Sequence, residues 1–174
     1  MSLVTRMTKV GVTGHQKLNS NAWEWVAATI RDELAELRPP LIAVSSLAIG
    51  ADQLLARIVL DCGGSVHAVL PFADIERSFS PENVPMYREL LDASSTEVLD
   101  THGTDQDAYL AAGKRVVQLS DVLVAVWDGE PAKGKGGTAD VVAYALERKV
   151  PLIHVNPQDR TVSRHGLAGP HAPH

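Results

Sequence analysis

Residues 121–145 read DVLVAVWDGEPAKGKGGTADVVAYA, and this stretch decides the fold. Its first part, Val122 to Trp127, is a continuous apolar run rich in β-branched residues, which is typical of a strand buried on both faces of a parallel sheet. The middle part is rich in glycine and lysine, and a helical pattern begins at Thr138. The stretch therefore predicts a strand, a loop and a helix in a sheet that helices cover on both sides.

The loop has the composition of an anion-binding site. Glycines let backbone amides approach an anion closely, and the first turn of a helix adds unpaired amides and a positive dipole end. We therefore expect a phosphate or carboxylate to be held by Gly134, Lys135, Gly136, Gly137 and Thr138. The alternative is a flexible surface loop in which Lys133 and Lys135 are solvated.

Composition restricts the class of protein. The 174 residues are 45% hydrophobic and 21% charged, which fits an ordinary globular domain. A net charge of -5 and an aromatic content of 5% argue against nucleic acid as a partner and against broad attachment to an anionic membrane. The single cysteine cannot form an internal disulfide, and no segment resembles a signal peptide or a membrane span. We expect a soluble, cytoplasmic protein.

The rest of the chain alternates between strand and helix patterns. Strands are predicted at 9–13, 41–46, 65–70, 97–99, 122–127 and 151–155. Helices are predicted from Asn21, with a capping-box spacing to Glu24, until before Pro39, from Gly50 until before Gly63, and at 86–93, 107–120 and 138–148. This alternation predicts a doubly wound, mainly parallel, Rossmann-like α/β sheet with right-handed crossovers.

The predicted domain covers residues 1–157. Residues 158–174 are rich in Pro, Gly and His and show no apolar period, so we expect them to form a disordered tail. The histidines of the tail lack the spacing of metal ligands, and no metal site is predicted.

The predicted strand order is 4-3-2-1-5-6, with a switch point between the first and the fifth strand. Ligands of open α/β sheets bind outside the carboxyl ends of the strands at such a point. Three loops meet there and supply the candidate ligand-binding residues, which are Gly14, His15, Ser45, Ser46, Gly50, Asp52, Asp128, Gly134, Lys135, Gly136, Gly137 and Thr138.

Three of these side chains also have a purely structural interpretation. Asp52 fits equally well as the acidic partner of a helix dipole. His15 could be a polar loop residue, although loops at such crevices often carry function. Asp128 is well suited to capping a turn through Gly129, because Asp is a favoured turn residue.

Five segments resemble the SLOG superfamily, the Rossmann-like group that contains the DprA/Smf and LOG families. The segments are VGVTGH (10–15), SSLAIGADQ (45–53), AVLPF (68–72), SDVLVAVWDG (120–129) and GKGGTAD (134–140). Together they span most of the region from residue 9 to residue 156. The resemblance implies binding of a nucleotide or nucleotide-derived ligand, with phosphate at the glycine-rich helix start.

Two groups of enzymes are similar to this chain but differ at their catalytic positions. LOG enzymes hydrolyse the N-glycosidic bond of nucleoside monophosphates, and their catalytic Glu falls on Val141. Their arginine on the preceding helix falls on Ala112, with Lys114 and Arg115 nearby. The nucleophilic Glu of nucleoside deoxyribosyltransferases also falls on Val141. The resemblance therefore favours binding over turnover.

Three functions follow from these observations. The first is binding or sensing of a phosphate-bearing, nucleotide-like small molecule. This function requires no cofactor and is compatible with a homo-oligomer. The second is a nucleotide N-glycosidase in which Asp128 or Asp140 stabilises or attacks the sugar. The third, by analogy with DprA-like proteins, is single-stranded DNA binding, which the acidic balance argues against.

Overall fold

In the computed structural model of this protein, residues 6–131 and 137–167 are described. The strands are Thr8–Gly14 (β1), Leu41–Ser45 (β2), Ser65–Leu70 (β3), Ser94–Val98 (β4), Val122–Val126 (β5), Leu152–Asn156 (β6) and Thr161–His165 (β7). The helices are Ser20–Ala35 (α1), Ala51–Asp61 (α2), Val84–Asp92 (α3), Asp105–Leu119 (α4) and Thr138–Glu147 (α5), and two 3-10 turns, Ile75–Ser78 and Pro81–Asn83, precede α3.

The strands form one sheet in the order β4-β3-β2-β1-β5-β6-β7. Every neighbouring pair is parallel except β6 and β7, which are antiparallel. The predicted doubly wound α/β fold and the order of its first six strands are confirmed. The switch point lies at β1, which pairs with β2 on one side and with β5 on the other.

The β5 strand is buried on both faces, as its apolar run predicts. Val122, Val124 and Val126 pack into the cluster that includes residues of α1 and α2. Leu123 and Ala125 pack into the cluster that includes residues of α4 and α5. In the described part of the chain, none of the helices combines the length and the apolar character needed to cross a membrane.

Several boundaries differ from the prediction, and two of the differences have a clear physical reason. The cap of α1 is Asn19, whose Oδ1 accepts a hydrogen bond from the Ala22 amide at 2.8 Å, so the predicted cap at Asn21 is wrong. Both asparagines are good cap residues, and spacing alone did not separate them. The β4 strand begins at Ser94, three residues before the predicted start, because its polar sequence SSTEV lacks the apolar alternation of a half-buried strand.

The prediction of a disordered tail from residue 158 is wrong as far as the structure describes the tail. Residues 161–165 form β7 on the outer edge of β6. A turn anchored by Asn156 precedes it, since the Asn156 Oδ1 accepts from the amides of Gln158 and Asp159 at 3.0 and 3.2 Å. Arg164 then pairs with Glu33 of α1, which is only 7% exposed. Backbone pairing, this charge pair and the packing of Val162 against the core hold the strand. A single apolar residue gives no period, so hydrophobic periodicity could not show the strand. Residues 168–174 lie outside the described residues.

We expect Arg164→Ala to lower the free energy of unfolding by about 1–2 kcal/mol. The substitution leaves the Glu33 carboxylate buried without its cation, and the partial exposure of Arg164 limits the loss. Urea denaturation measures the effect. Thr161→Ala, on an exposed position of the same strand, is the matched control and should change stability little; equal stabilities of the two variants would contradict the docking role of this ion pair.

Candidate functional site

A cavity of about 480 Å³ lies at the carboxyl end of β1, between the loops that follow β2 and β5. The first turn of α5 and the first half of α4 complete its walls. Of the predicted ligand-binding residues, the cavity brings together Gly14, His15, Ser46, Asp52, Gly137 and Thr138. As far as the structure describes it, the polar lining consists of Thr13, His15, Gln16, Ser46, Asp52, Gln106, Tyr109 and Thr138.

Two glycines let the backbone segments around the cavity approach one another. A Cβ at Gly14 would lie 2.6 Å from the Val126 carbonyl oxygen and 2.8 Å from the Ala51 Cβ. Gly50 has φ +95°, and a Cβ there would lie 2.4 Å from the carbonyl oxygen of His15. That same oxygen accepts a hydrogen bond from the Ala51 amide at 3.1 Å. Gly50 therefore has a packing role and does not line the cavity, contrary to its prediction as a ligand contact.

Ser45 is also a structural residue. It is fully buried, its Oγ donates to the carbonyl oxygen of Asp52 at 3.0 Å, and it accepts from the Leu47 amide at 3.0 Å. Gln53 binds the same loop, because its Nε2 donates to the Leu47 carbonyl and its amide to the Ala48 carbonyl. The first residues of α2 are thus hydrogen-bonded to the loop that precedes them. The position of Ser45 does not support its prediction as a ligand contact.

The start of α5 is organised differently. Its cap, Gly137, offers no side chain, and the Gly137 carbonyl accepts from the Asp140 amide at 3.1 Å. The first amides of a helix have no partner inside the helix. Gly137 and Thr138 line the cavity, so these amides and the positive dipole end lie at its wall. The other predicted members of the phosphate loop, Gly134, Lys135 and Gly136, lie outside the described residues.

His15 joins two loops. Its Nε2 accepts a hydrogen bond from the Asp128 amide at 3.2 Å and lies 3.5 Å from the Asp128 carboxylate. The Oδ1 of Asp128 accepts from the Glu130 amide at 3.0 Å, which is the turn-capping role considered for it from the sequence. Asp128 does not line the cavity, so the structure does not place it among the ligand contacts.

The positions that correspond to the catalytic residues of the similar enzymes are occupied by packed, apolar side chains. Val141 is 3% exposed and lies against Gly113 of α4, where an added Cβ would be 2.5 Å from the Val141 Cγ2. Ala112 is 1% exposed. Of its neighbours, Lys114 lies over the Tyr144 ring and Arg115 pairs with Glu97, and neither they nor Asp140 are among the described residues that line the cavity.

Asp52 is the one carboxylate among the described residues of the lining. It is 9% exposed, and burial raises its pKa to about 7, partly offset by a hydrogen bond from the Ala48 backbone. The sequence identified Asp52 as a first-turn acid, and the structure confirms that position in α2. Its burial was not predicted, because exposure in a first turn depends on how the neighbouring loops fold over it.

The sequence did not predict that α4 forms one wall of the cavity. Gln106 and Tyr109 line the cavity, and on the β1 side Gln16 does so as well. The Tyr109 ring packs edge-to-face on Phe72, with the ring centroids 5.7 Å apart. The sequence placed Tyr109 on the buried stripe of a helix, and no signal distinguished a core position from a cavity wall.

The comparisons show which solved structures share this fold. No protein-family model matches the chain, and no curated protein matches it. DprA from Streptococcus pneumoniae superposes with a TM-score of 0.61 at 20% identity, over 85% of this chain and 50% of that one. DprA from Helicobacter pylori gives 0.59 at 19%, over 84% and 64%, and the Moco carrier protein of Chlamydomonas reinhardtii gives 0.50 at 23%, over 86% and 76%. The chain thus spans half to two thirds of the DprA chains, and it shares their fold.

These neighbours correct one prediction. The Helicobacter pylori protein is described by its single-stranded DNA binding mode, so the fold is compatible with nucleic acid, and the argument against nucleic acid as a partner is wrong. Net charge was a poor guide, because binding depends on the local field of a site rather than on the charge of the whole chain.

The buried acid predicts a pH-dependent stability. Unfolded Asp52 ionises with its ordinary pKa of 3.8, and folded Asp52 ionises with a pKa of about 7. Between these values the unfolded state releases the proton first, so the contribution of Asp52 to stability falls as pH rises, by about 4 kcal/mol in total. We expect the stability advantage of Asp52→Asn over the wild type to grow from about pH 4 to pH 7 and then to level off.

Urea denaturation at a series of pH values measures this difference. Asp61→Asn, an exposed position on the same helix, is the control and should show no such trend. A difference between Asp52→Asn and the wild type that does not change with pH would contradict the ionisation behaviour of the buried acid.

Proposed function

We propose that this protein binds a phosphate-bearing nucleotide, or a molecule derived from one, in the cavity at the carboxyl end of β1. The observation that carries this proposal is the first turn of α5, which presents Gly137 and Thr138 to the cavity without a capping side chain. A helix start of this kind binds phosphate through its amides and its dipole. A volume of about 480 Å³ falls in the range of small-molecule sites.

The rest of the lining suits the uncharged parts of such a ligand. Thr13, Gln16 and Gln106 offer hydroxyl and carboxamide groups that both donate and accept hydrogen bonds. Tyr109 adds a partly exposed aromatic ring. These groups can hydrogen-bond a sugar or the polar edge of a base, while the phosphate end supplies most of the affinity through charge-assisted bonds of about 1.5–3 kcal/mol each.

The structural neighbours support a ligand-binding function but do not indicate one particular ligand. In the Chlamydomonas reinhardtii protein this fold belongs to a carrier of the molybdenum cofactor, and in the Helicobacter pylori protein to a binder of single-stranded DNA. Phosphate is common to nucleotides and DNA, and an anion site at a helix start is compatible with both.

We expect Thr138→Pro to abolish nucleotide binding without unfolding α5. Proline at the first helical position removes the amide and the hydroxyl but keeps the helical φ, and Gly137, at φ -74° and ψ 172°, already has the extended backbone that must precede proline. Calorimetry with the nucleoside monophosphates of adenine, guanine, cytosine and uracil measures binding. The nucleosides should bind much more weakly than the monophosphates.

The matched control is Ser20→Pro, which makes the same change at the first position of α1, after a cap residue at φ -70° and ψ 163°. It should bind like the wild type. Unchanged affinity of Thr138→Pro, with this control also unchanged, would reject the start of α5 as the phosphate site.

We expect no appreciable release of free base from nucleoside monophosphates. Val141 replaces the carboxylate of the similar enzymes, and neither Asp128 nor Asp140 is among the residues that line the cavity. Chromatography of overnight reactions tests this. Base release that is lost in Asp128→Asn or Asp140→Asn, while ligand binding persists, would establish the N-glycosidase instead.

Single-stranded DNA is a second candidate ligand. The observation that favours it is a cationic aromatic surface on α4 and α5, where Lys114 Nζ and the Arg148 guanidinium lie 5.4 and 5.5 Å from the centre of the Tyr144 ring. Such surfaces suit a nucleic-acid backbone and its bases. A fluorescent oligothymidylate titrated at several salt concentrations tests it: loss of binding in Lys114→Glu and Arg148→Glu supports this surface, and salt-independent or absent binding rejects it.

A further inference from the structure

We propose that Asp52 selects the ligand by donating a hydrogen bond from its neutral carboxyl group to an acceptor atom, such as a ring nitrogen or carbonyl oxygen of a base. The acceptor would lie at the end of the ligand remote from the phosphate. This inference rests on the proposed nucleotide-binding function and assigns one residue to the recognition of the ligand's uncharged end.

The topology separates Asp52 from the phosphate site. Asp52 lies in the first turn of the helix after β2, and Thr138 lies in the first turn of the helix after β5. Since β1 lies between these two strands, the residues occupy opposite flanks of the cavity. A ligand that spans the cavity therefore meets the helix amides at one end and Asp52 at the other.

The surroundings of Asp52 favour its neutral form. The side chain is 9% exposed, and the Ala48 backbone is its only hydrogen-bond partner with an effect on its ionisation. No charged neighbour within the described chain contributes to that ionisation. Among the described residues, the other titratable groups of the lining are His15 and Tyr109, and the His15 Nε2 is already occupied by the Asp128 amide. A buried carboxyl group without a nearby cation keeps its proton to higher pH than an exposed one.

Asp52 is also held firmly in place. Its carbonyl oxygen accepts from the buried Ser45 hydroxyl at 3.0 Å, and the adjacent Ala51 amide binds the His15 carbonyl at 3.1 Å. A fixed donor discriminates between ligands more strongly than a mobile one, because a ligand that lacks the acceptor leaves a buried polar group unpaired.

An anionic ligand gives a physical reason for the neutral state. Ionised Asp52 would lose its donor and would also repel a phosphate in the same low-dielectric cavity. The alternative is an ionised Asp52 that accepts a hydrogen bond from an amino group of the base. The two alternatives predict opposite pH trends, because raising the pH removes the donor in the first and creates the acceptor in the second.

The experiment compares binding of one nucleotide by the wild type and by Asp52→Asn at about pH 5.5 and pH 8.5, on the two sides of the pKa of about 7. The probe is whichever of the adenosine, guanosine, cytidine and uridine monophosphates binds the wild type most tightly. Asparagine keeps a donor and an acceptor but cannot ionise. We expect wild-type affinity to fall at least about tenfold more than that of Asp52→Asn between the two pH values.

The ratio of the two affinities isolates Asp52. The phosphate ionises at about pH 6, but it acts on the two proteins alike and cancels in the ratio. Asp61→Asn should keep the wild-type pH profile, and Asp52→Ala, which lacks the donor, should bind weakly at both pH values.

Three results would overturn the inference. Parallel pH profiles of the wild type and Asp52→Asn would show that Asp52 does not contact the ligand. Wild-type affinity that rises with pH relative to Asp52→Asn would show that the ionised form accepts from the ligand. An absence of binding in every protein at both pH values would reject the proposed function, and the inference with it.

Discussion

The cavity depends on the close approach of three backbone segments at the end of β1. At Gly14 no side chain separates β1 from the Val126 carbonyl and from Ala51 at the start of α2. His15 then binds both neighbours through its main chain, donating to the Val126 carbonyl at 3.0 Å and accepting from the Ala51 amide at 3.1 Å. The floor of the cavity is therefore fixed by main-chain contacts, and the side chains above it are free to determine which ligand is bound.

The two helix starts at this floor are capped differently although their sequences look alike. Both follow a buried strand and a glycine. At α2, the amides and carbonyls of the loop are taken up by Ser45, Gln53 and His15, so the helix start is closed by the protein itself. At α5, the cap Gly137 has no side chain to close the first turn. This difference supports placing the proposed phosphate at the start of α5 rather than at the start of α2.

The sequence was sufficient for most of the fold because β5 and the helices carry strong apolar periods. It misplaced the start of β4, whose polar side chains give no period. It missed β7, which is held by backbone pairing, by the buried Glu33 and by the packing of Val162. The predicted loops border one cavity, but several residues that were predicted as ligand contacts do not line it. Ser45, Gly50 and Asp128 have local structural partners, and Tyr109 forms a wall. Such roles depend on distances between loops that lie far apart in the chain, and composition carries no information about them.

The antiparallel direction of β7 determines where the chain leaves the fold. Thr8, at the amino end of β1, pairs with Leu41, and His165, at the end of β7, pairs with Leu152 at the amino end of β6. Both ends of the described fold therefore lie at the amino-terminal end of the parallel strands, and the cavity lies at their carboxyl end. A label attached at Thr8 or His165 would therefore lie at the opposite end of the strands from the mouth of the cavity.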